Sequence, residues 1–318
     1  MAARCEAAGR PHNEDNFQLT DNLAGGEWGF MTGKEVTLEA KGALLVVCDG
    51  MGGMKSGAFA SNLAVATIKE WFAADRLTPE VMASQASMMH YVEQVIVAAD
   101  ERIKEVGNHN KEHEGMGSTV ALAWIVDNNA YIGWCGDSRA YRFNKVAGLE
   151  RLSRDHSYVQ ELVDSGKLSK ELAFEHPDSN IITRSLGDNR QKAQPDVDCI
   201  PLYNGDVILL CSDGLSGVLR DIEIEAFMMK NADTLEQIRN ALWTESEKIG
   251  WTDNVTIALC RIESGSADRK KNDAETSFGE KISNTSERKN SRLRWIIPLI
   301  ALILAVLICI LYKLLTPN

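Results

Sequence analysis

The stretch "GSTVALAWIVDNNAYIGWCGDSRAYRF", residues 117–143, sets three short apolar runs almost end to end. Asp127-Asn128-Asn129 separates the first run from the second with residues that favour reverse turns, and Gly136-Asp137 makes a second tight connection. Each run is too short for a globular helix and rich in β-branched and aromatic residues, so three consecutive strands are predicted. Outward from here, "KGALLVVCDG" (41–50), "DVILLCSDG" (206–214) and "NVTIALCRI" (254–262) read as further buried strands. Such a series predicts an antiparallel, meander-like sheet. Helical spacing of apolar residues appears over 57–72, 88–106, 221–230 and 234–249, and Ser157 to Gln160 reads as a capping box opening a helix from Tyr158. Strands come in runs and helices in groups, which points to α+β rather than a doubly wound α/β fold. No internal repeat is evident.

The formal net charge is −11, unevenly spread: residues 1–263 carry 25 basic against 40 acidic side chains, a balance of −15. An acidic folded part argues against tracking a nucleic-acid backbone and is compatible with divalent cations. The seven cysteines form no CxxC pair, and several lie within apolar runs, as small core residues do in a reducing compartment. The N-terminus has no apolar stretch of the kind a signal peptide needs.

The C-terminal end reads differently. Residues 264–294 are polar, end in a basic cluster (Arg288, Lys289, Arg292, Arg294) and read as a flexible linker. Residues 295–312, "WIIPLIALILAVLICILY", are 18 positions without a charge, about 27 Å as a helix. Trp295 and Tyr312 suit the two interfaces, and the excess of positive charge before the span predicts a cytoplasmic N-terminal part. The expected organisation is a domain over 1–263, a tether over 264–294, a membrane helix over 295–312 and a short tail over 313–318.

The strand-like runs end in carboxylates. Asp49 closes one, Asp213 closes another, Asp253 precedes a third, Asp137 sits between two more, and Glu14-Asp15 stands close to Arg10. A single Asp-Gly is ordinarily a turn. Several acidic strand tips, if they converge, make an oxygen-only site that selects Mg²⁺ or Mn²⁺ over zinc. The glycines after Asp49 would let backbone approach an ion, with the Gly50 carbonyl as a donor. Two such ions can activate a bridging water for in-line attack, and Arg10 is placed to clamp a phosphoryl oxygen. Metal-assisted phosphate-ester hydrolysis is the chemistry this predicts.

The ordered set "RPHNED", "DGMGG", "GMGSTVALAWI", "GDSRAYR", "DHS", "NIITRSLGD", "SDGL" and "DNVT" resembles the metal-dependent, type 2C serine/threonine protein phosphatases, and most of all their bacterial members. The match covers about residues 1–262. The resemblance implies an α-β-β-α sandwich of two antiparallel sheets flanked by helices, with metals in a cleft at one end. It implies Asp49 as the carboxylate bridging two core ions, the Gly50 carbonyl, Asp213 and Asp253 as further ligands, and Glu14 and Asp15 on the other side. Asp137 matches the position that holds a third, weaker ion, and Arg10 the phosphate-binding arginine. Residues 158–182 would be a flap beside the cleft, with Arg184 and Asp188 at its base. Met51 stands where animal members place a histidine general acid. His12 reads as a surface or turn residue, His156 as structural, and Asn254 as ordering the ligand loop.

The predicted activity is therefore hydrolysis of phosphoserine and phosphothreonine on proteins, with Mn²⁺ or Mg²⁺, by a catalytic domain held at a bacterial inner membrane opposite a Ser/Thr protein kinase. A phosphoprotein-binding scaffold without turnover is the alternative, and a two-metal nuclease a third that the acidic balance disfavours.

Overall fold

The predicted strand runs form and pair across two five-stranded sheets. The structure, a computed structural model, describes residues 1–25, 28–30, 32–52 and 56–265. Its strands are β1 (Ala2–Glu6), β2 (Asn16–Thr20), β3 (Ala43–Cys48), β4 (Gly50–Met51), β5 (Gly117–Ser118), β6 (Val120–Val126), β7 (Asn129–Cys135), β8 (Arg139–Asn144), β9 (Gly148–Arg151), β10 (Asp196–Pro201), β11 (Val207–Cys211) and β12 (Val255–Arg261). One sheet runs β1-β12-β11-β8-β9 and the other β10-β7-β6-β3-β2, antiparallel throughout, with β4 and β5 a small separate pair.

The opening stretch does not make one meander. Strands β6 and β7 are a hairpin in one sheet, but β8 belongs to the other, so Gly136-Asp137 is a crossing between sheets. Gly136 makes the crossing with φ of +117°, a conformation that glycine adopts without strain.

The helices are α1 (Ser56–Trp71), α2 (Gln85–His109), α3 (Tyr158–Asp164), α4 (Lys170–Ala173), α5 (Asp213–Ser216), α6 (Asp221–Lys230) and α7 (Leu235–Ile249). Alternation along the strands sorts their side chains into layers. Leu44, Val46 and Cys48 of β3 pack with Ala60, Ala64 and Ile68 of α1 and Val92 and Ile96 of α2. Leu45 and Val47 instead meet Ile208, Leu210 and Ala258 between the sheets. Leu209 and Ile257 face Ile224, Ile238 and Leu242 of α6 and α7. Four layers result, helix–sheet–sheet–helix, with both faces of the central strands buried, which is why their sequences are continuously apolar.

Two local readings need correction. Ser157 caps α3 by accepting the Gln160 N–H at 3.2 Å, but the Gln160 amide donates to Asp164, one turn on, and no reciprocal bond closes the box. Strands β1, β2, β9 and β10 lie outside the predicted runs, and their apolar patterns are too weak to stand out; pairing with β12, β3, β8 and β7 makes them strands. The described residues fall in one compact unit. The predicted linker, membrane helix and tail lie outside the described residues, apart from the linker's first two positions, and among the described residues no helix is long and apolar enough to cross a membrane.

One buried charge ties the loop after the flap to the helical layer. Asp100 on α2 is fully buried and accepts from Gly187 N–H (2.8 Å), Ala193 N–H (2.9 Å) and Lys104 Nζ (2.7 Å). Asp100→Asn keeps the shape but loses charge-assisted acceptance, so a loss of about 2 kcal/mol in urea unfolding is expected. An unchanged midpoint would mean that the loop is held by something else.

Candidate active site

Antiparallel register decides where the carboxylates go. Asn16 pairs with Cys48, Val120 with Cys135, Arg139 with Cys211, and Glu6 with Val255. The start of β2, the ends of β3, β7 and β11 and the start of β12 therefore lie at one end of the sandwich. Glu14-Asp15, Asp49, Asp137, Asp213 and Asp253 occupy those positions.

Each is held by its own local structure. Asp49 has its N–H on Thr119 Oγ1 (3.1 Å), and its carbonyl accepts from Thr119 N–H (2.8 Å) and Ser118 Oγ (2.9 Å). Asp15 Oδ2 accepts from Ser212 Oγ (2.7 Å) and Thr256 Oγ1 (2.6 Å), which locks one oxygen between β11 and β12. Asp213 opens α5, and Gly214 must follow it because a Cβ there would stand 1.8 Å from the Asn254 carbonyl oxygen. Asn254 is a hub: its Oδ1 accepts from Glu14 N–H (2.8 Å) and its Nδ2 donates to the carbonyls of Ala7 (2.9 Å) and His12 (2.8 Å). The Glu14 carboxylate lies against Gly57, where a Cβ would come within 2.3 Å of Oε2 and 2.8 Å of the Gly50 carbonyl oxygen.

The carboxyl groups disturb one another strongly. Burial, then Asp213, Asp15 and Asp137, raise Asp49 well above the usual carboxylate range. Burial and then Asp253 raise Asp213. Burial, followed by Asp213 and Asp155, raises Asp137 well above that range. Asp15 is pushed up to about 7, by burial first, against the two hydroxyls that bond it. Carboxyls crowded together away from water cannot all stay ionised, so without a cation the cluster holds protons instead.

Among the described residues, no three His, Cys, Asp or Glu side chains form a closed metal-ligating group. The donor set nevertheless fits a hard cation. It is all oxygen, it is partly buried, and Asp213 Oδ1 is the buried side-chain oxygen that lacks any hydrogen-bond partner among the described residues.

Arg10 stands at the exposed mouth. Its Nη2 donates to Asp253 Oδ2 at 2.7 Å and its Nε to the Thr252 carbonyl at 2.9 Å, so the guanidinium is fixed beside the carboxyl cluster with more than half its side chain in solvent.

Sequence reasoning missed the residues that hold these groups. Arg139, largely buried, donates to both oxygens of Asp155 and to Asp221, and its positive charge favours ionisation of Asp137 and Asp213, against the burial that raises them. Thr119, Ser212 and Thr256 are invisible to a search for charged motifs, although "GST" and "CSD" beside strand ends are the available signal. His113 stacks on Phe59 at 4.3 Å and lies beside Ser56, while His12 is exposed, as predicted.

Residues 32–250 match the model of a family described as protein phosphatase 2C. A curated relative, serine/threonine phosphatase stp of Listeria innocua, is 30% identical over 250 residues, covering 79% of this chain and 90% of that protein. The crystal structure of serine/threonine phosphatase Stp1 from Staphylococcus aureus aligns with a TM-score of 0.70 at 30% identity, covering 83% of this chain and 94% of that one. The catalytic domain of the serine/threonine protein phosphatase PstP, solved in complex with two manganese ions, aligns with a TM-score of 0.64 at 25% identity, over 81% of this chain and 95% of that one.

Proposed function

The chain belongs to the protein phosphatase 2C family and is a serine/threonine protein phosphatase of that type, and from that premise we propose how its own residues carry the reaction. Asp49, the Gly50 carbonyl, Asp213 and Asp253, together with Glu14 and Asp15, would hold a pair of Mn²⁺ or Mg²⁺ ions, and Asp137 would serve a weaker third. Bound there, the ions supply Lewis acidity and an activated water at neutral pH. The observation that carries this reading is the unpartnered, buried Asp213 Oδ1 within a cluster of mutually disturbed carboxyls.

The remaining work falls to protein groups. Arg10 meets the phosphoryl oxygens from the mouth and steadies the charge that builds on them. Its present partner, Asp253, is itself one of the proposed ligands, so the same carboxylate ties phosphate recognition to the ion site. Ser212 and Thr256 keep Asp15 turned inward, and Asn254 keeps Glu14 and the Arg10 segment on the rim. Met51 offers no proton, so the leaving alkoxide takes its proton from water.

The test is hydrolysis of a phosphothreonine peptide by the full chain with Mn²⁺ and with chelator. Metal-dependent turnover is the expected result; none from folded, Mn²⁺-loaded protein would overturn the reading. In the same assay Arg10→Ala is expected to lower kcat/KM about 100-fold. A value near that of the unaltered chain would remove Arg10 from the phosphate site.

The 18 uncharged residues at 295–312, preceded by basic residues, support tethering of the catalytic domain, which ends near residue 263, to the cytoplasmic face of a membrane. Placement there would bring it to phosphoproteins made by a membrane-held Ser/Thr kinase. Release of the protein from membranes by alkaline carbonate would contradict the tether.

A further inference from the structure

His156 touches more of the site's scaffold than its sequence position announces. It is 6% exposed, follows Asp155 and precedes the flap. Its N–H donates to the Gly136 carbonyl (2.9 Å), and its ring Nδ1 accepts the Gly136 N–H (3.2 Å). The turn residue immediately before Asp137 is thus gripped from both sides by one residue. An amide N–H can only donate, so Nδ1 is the acceptor and the ring proton sits on Nε2, 3.3 Å from Asp196 Oδ2 on β10. Arg184 Nη1, 3.4 Å from Nε2, has acceptors of its own in the Gln194 carbonyl and Asp196 Oδ1. The ring also lies nearly parallel to Trp134 of β7, with centroids 6.2 Å apart.

The same residue begins the flap. Its carbonyl accepts Thr183 N–H at 2.7 Å, Ser157 bridges to Ile182, and Tyr158 N–H donates to the Ile181 carbonyl, so the two ends of the flap are zipped together at His156. Gly136 in turn abuts Thr119, where an added Cβ would stand 2.7 Å from the Thr119 Cβ, and Thr119 holds the Asp49 backbone. A continuous path of contacts runs from the flap base through His156 to Gly136, and from there to both Asp137 and Asp49.

We propose that His156 is a positioning residue: through the Gly136 N–H it fixes the turn that aims the Asp137 carboxylate, and so couples the flap base to the weakest cation position. This rests on the reading of Asp137 as a ligand given above. An outer group that orients a ligand typically matters ten- to a hundredfold in affinity. His156→Gln loses the acceptor at the Nδ1 position, whereas His156→Asn keeps one there in its amide oxygen.

The experiment is Mn²⁺ binding to the full chain, read as free Mn²⁺ by electron paramagnetic resonance, with no turnover required. His156→Gln is expected to weaken the weakest site about tenfold, and His156→Asn to restore most of that loss. In an Asp137→Asn background, His156→Gln should have no further effect, because both act on one group. Unchanged affinity in a folded His156→Gln protein, or effects that add in the double variant, would overturn the proposal. If His156→Gln does not fold, Asp196→Asn decides in the same way, since its side chain is half exposed and the change weakens only its bonds with Nε2 and with Arg184, which keeps the Gln194 carbonyl. A weakening of about threefold that vanishes in the Asp137→Asn background supports the coupling, and one that is absent or additive overturns it. Phosphopeptide turnover on the same samples keeps the two readings apart: binding coupling without turnover defeats only the phosphatase mechanism, and turnover without coupling defeats only the role of His156.

Discussion

Asp213→Asn is expected to lower Mn²⁺-dependent phosphopeptide hydrolysis by about 10³-fold or more, a loss of roughly 4 kcal/mol in transition-state stabilisation. The substitution is nearly isosteric, so packing around α5 is not what it tests. It removes a negative charge from a half-buried residue whose buried Oδ1 has no hydrogen-bond partner among the described residues. In a structural role such an oxygen would be an unexplained cost, because buried acceptors are nearly always bonded. In a ligand role it is the atom left open for the cation. The amide also brings an N–H₂ that repels a cation. Steady-state rates across a Mn²⁺ titration distinguish a weakened site, rescued at high metal, from a dead one. Turnover within tenfold of the unaltered chain at every Mn²⁺ concentration would remove Asp213 from the centre of the reaction.

The carboxylates were legible because each stands at the edge of an apolar run, where a charge contrasts with what precedes it. Asp49 after "LLVVC" and Asp213 after "VILLCS" announce themselves. What the runs do not carry is pairing. Nothing local tells β8 to leave the sheet of β6 and β7, because that choice is made by residues far along the chain, Val207 opposite Phe143 and Cys211 opposite Arg139. Nor does "AARCE" read as a strand until Ala2 finds Leu259 and Glu6 finds Val255 across the edge of the sheet. The supporting polar groups were hidden for a related reason. Thr119, Ser212 and Thr256 are ordinary hydroxyl residues at strand ends, and only the fold brings their oxygens to Asp15 and the Asp49 backbone. Arg139 and Asp155 are 16 positions apart in sequence yet form a bidentate pair. Single-residue chemistry is readable from composition and position; second-layer support is a property of contact.

The same cluster predicts that stability and activity move in opposite directions. In the metal-free protein Asp49, Asp137, Asp213 and Asp15 all have folded-state pKa values above their unfolded ones, Asp15 at about 7. Groups of that kind favour the folded state while protonated. Their contribution is complete below the unfolded carboxylate value of about 4 and is lost as pH rises through the folded values. Metal-free protein should therefore melt at a lower temperature at pH 8 than at pH 6. A divalent cation replaces the protons, so added Mn²⁺ should raise the melting temperature most at pH 8 and least near pH 5.5, where protons compete. At a thousandfold excess over its dissociation constant the gain is about 4 kcal/mol, or roughly 10 °C for a domain of this size. Asp49→Asn gives the decisive contrast. It deletes the most crowded charge while keeping the shape, so at pH 8 the metal-free variant should melt higher than the unaltered chain, yet respond little to Mn²⁺ and hydrolyse almost nothing. A side chain kept for structure would show the reverse, a lower melting temperature with the metal response intact, and calorimetric scans at the two pH values with and without Mn²⁺ separate the two. The buried Arg139–Asp155 pair supplies the control of opposite sign: there burial opposes ionisation but Arg139 prevails, Asp155 is lowered, and its contribution is lost as pH falls rather than as it rises.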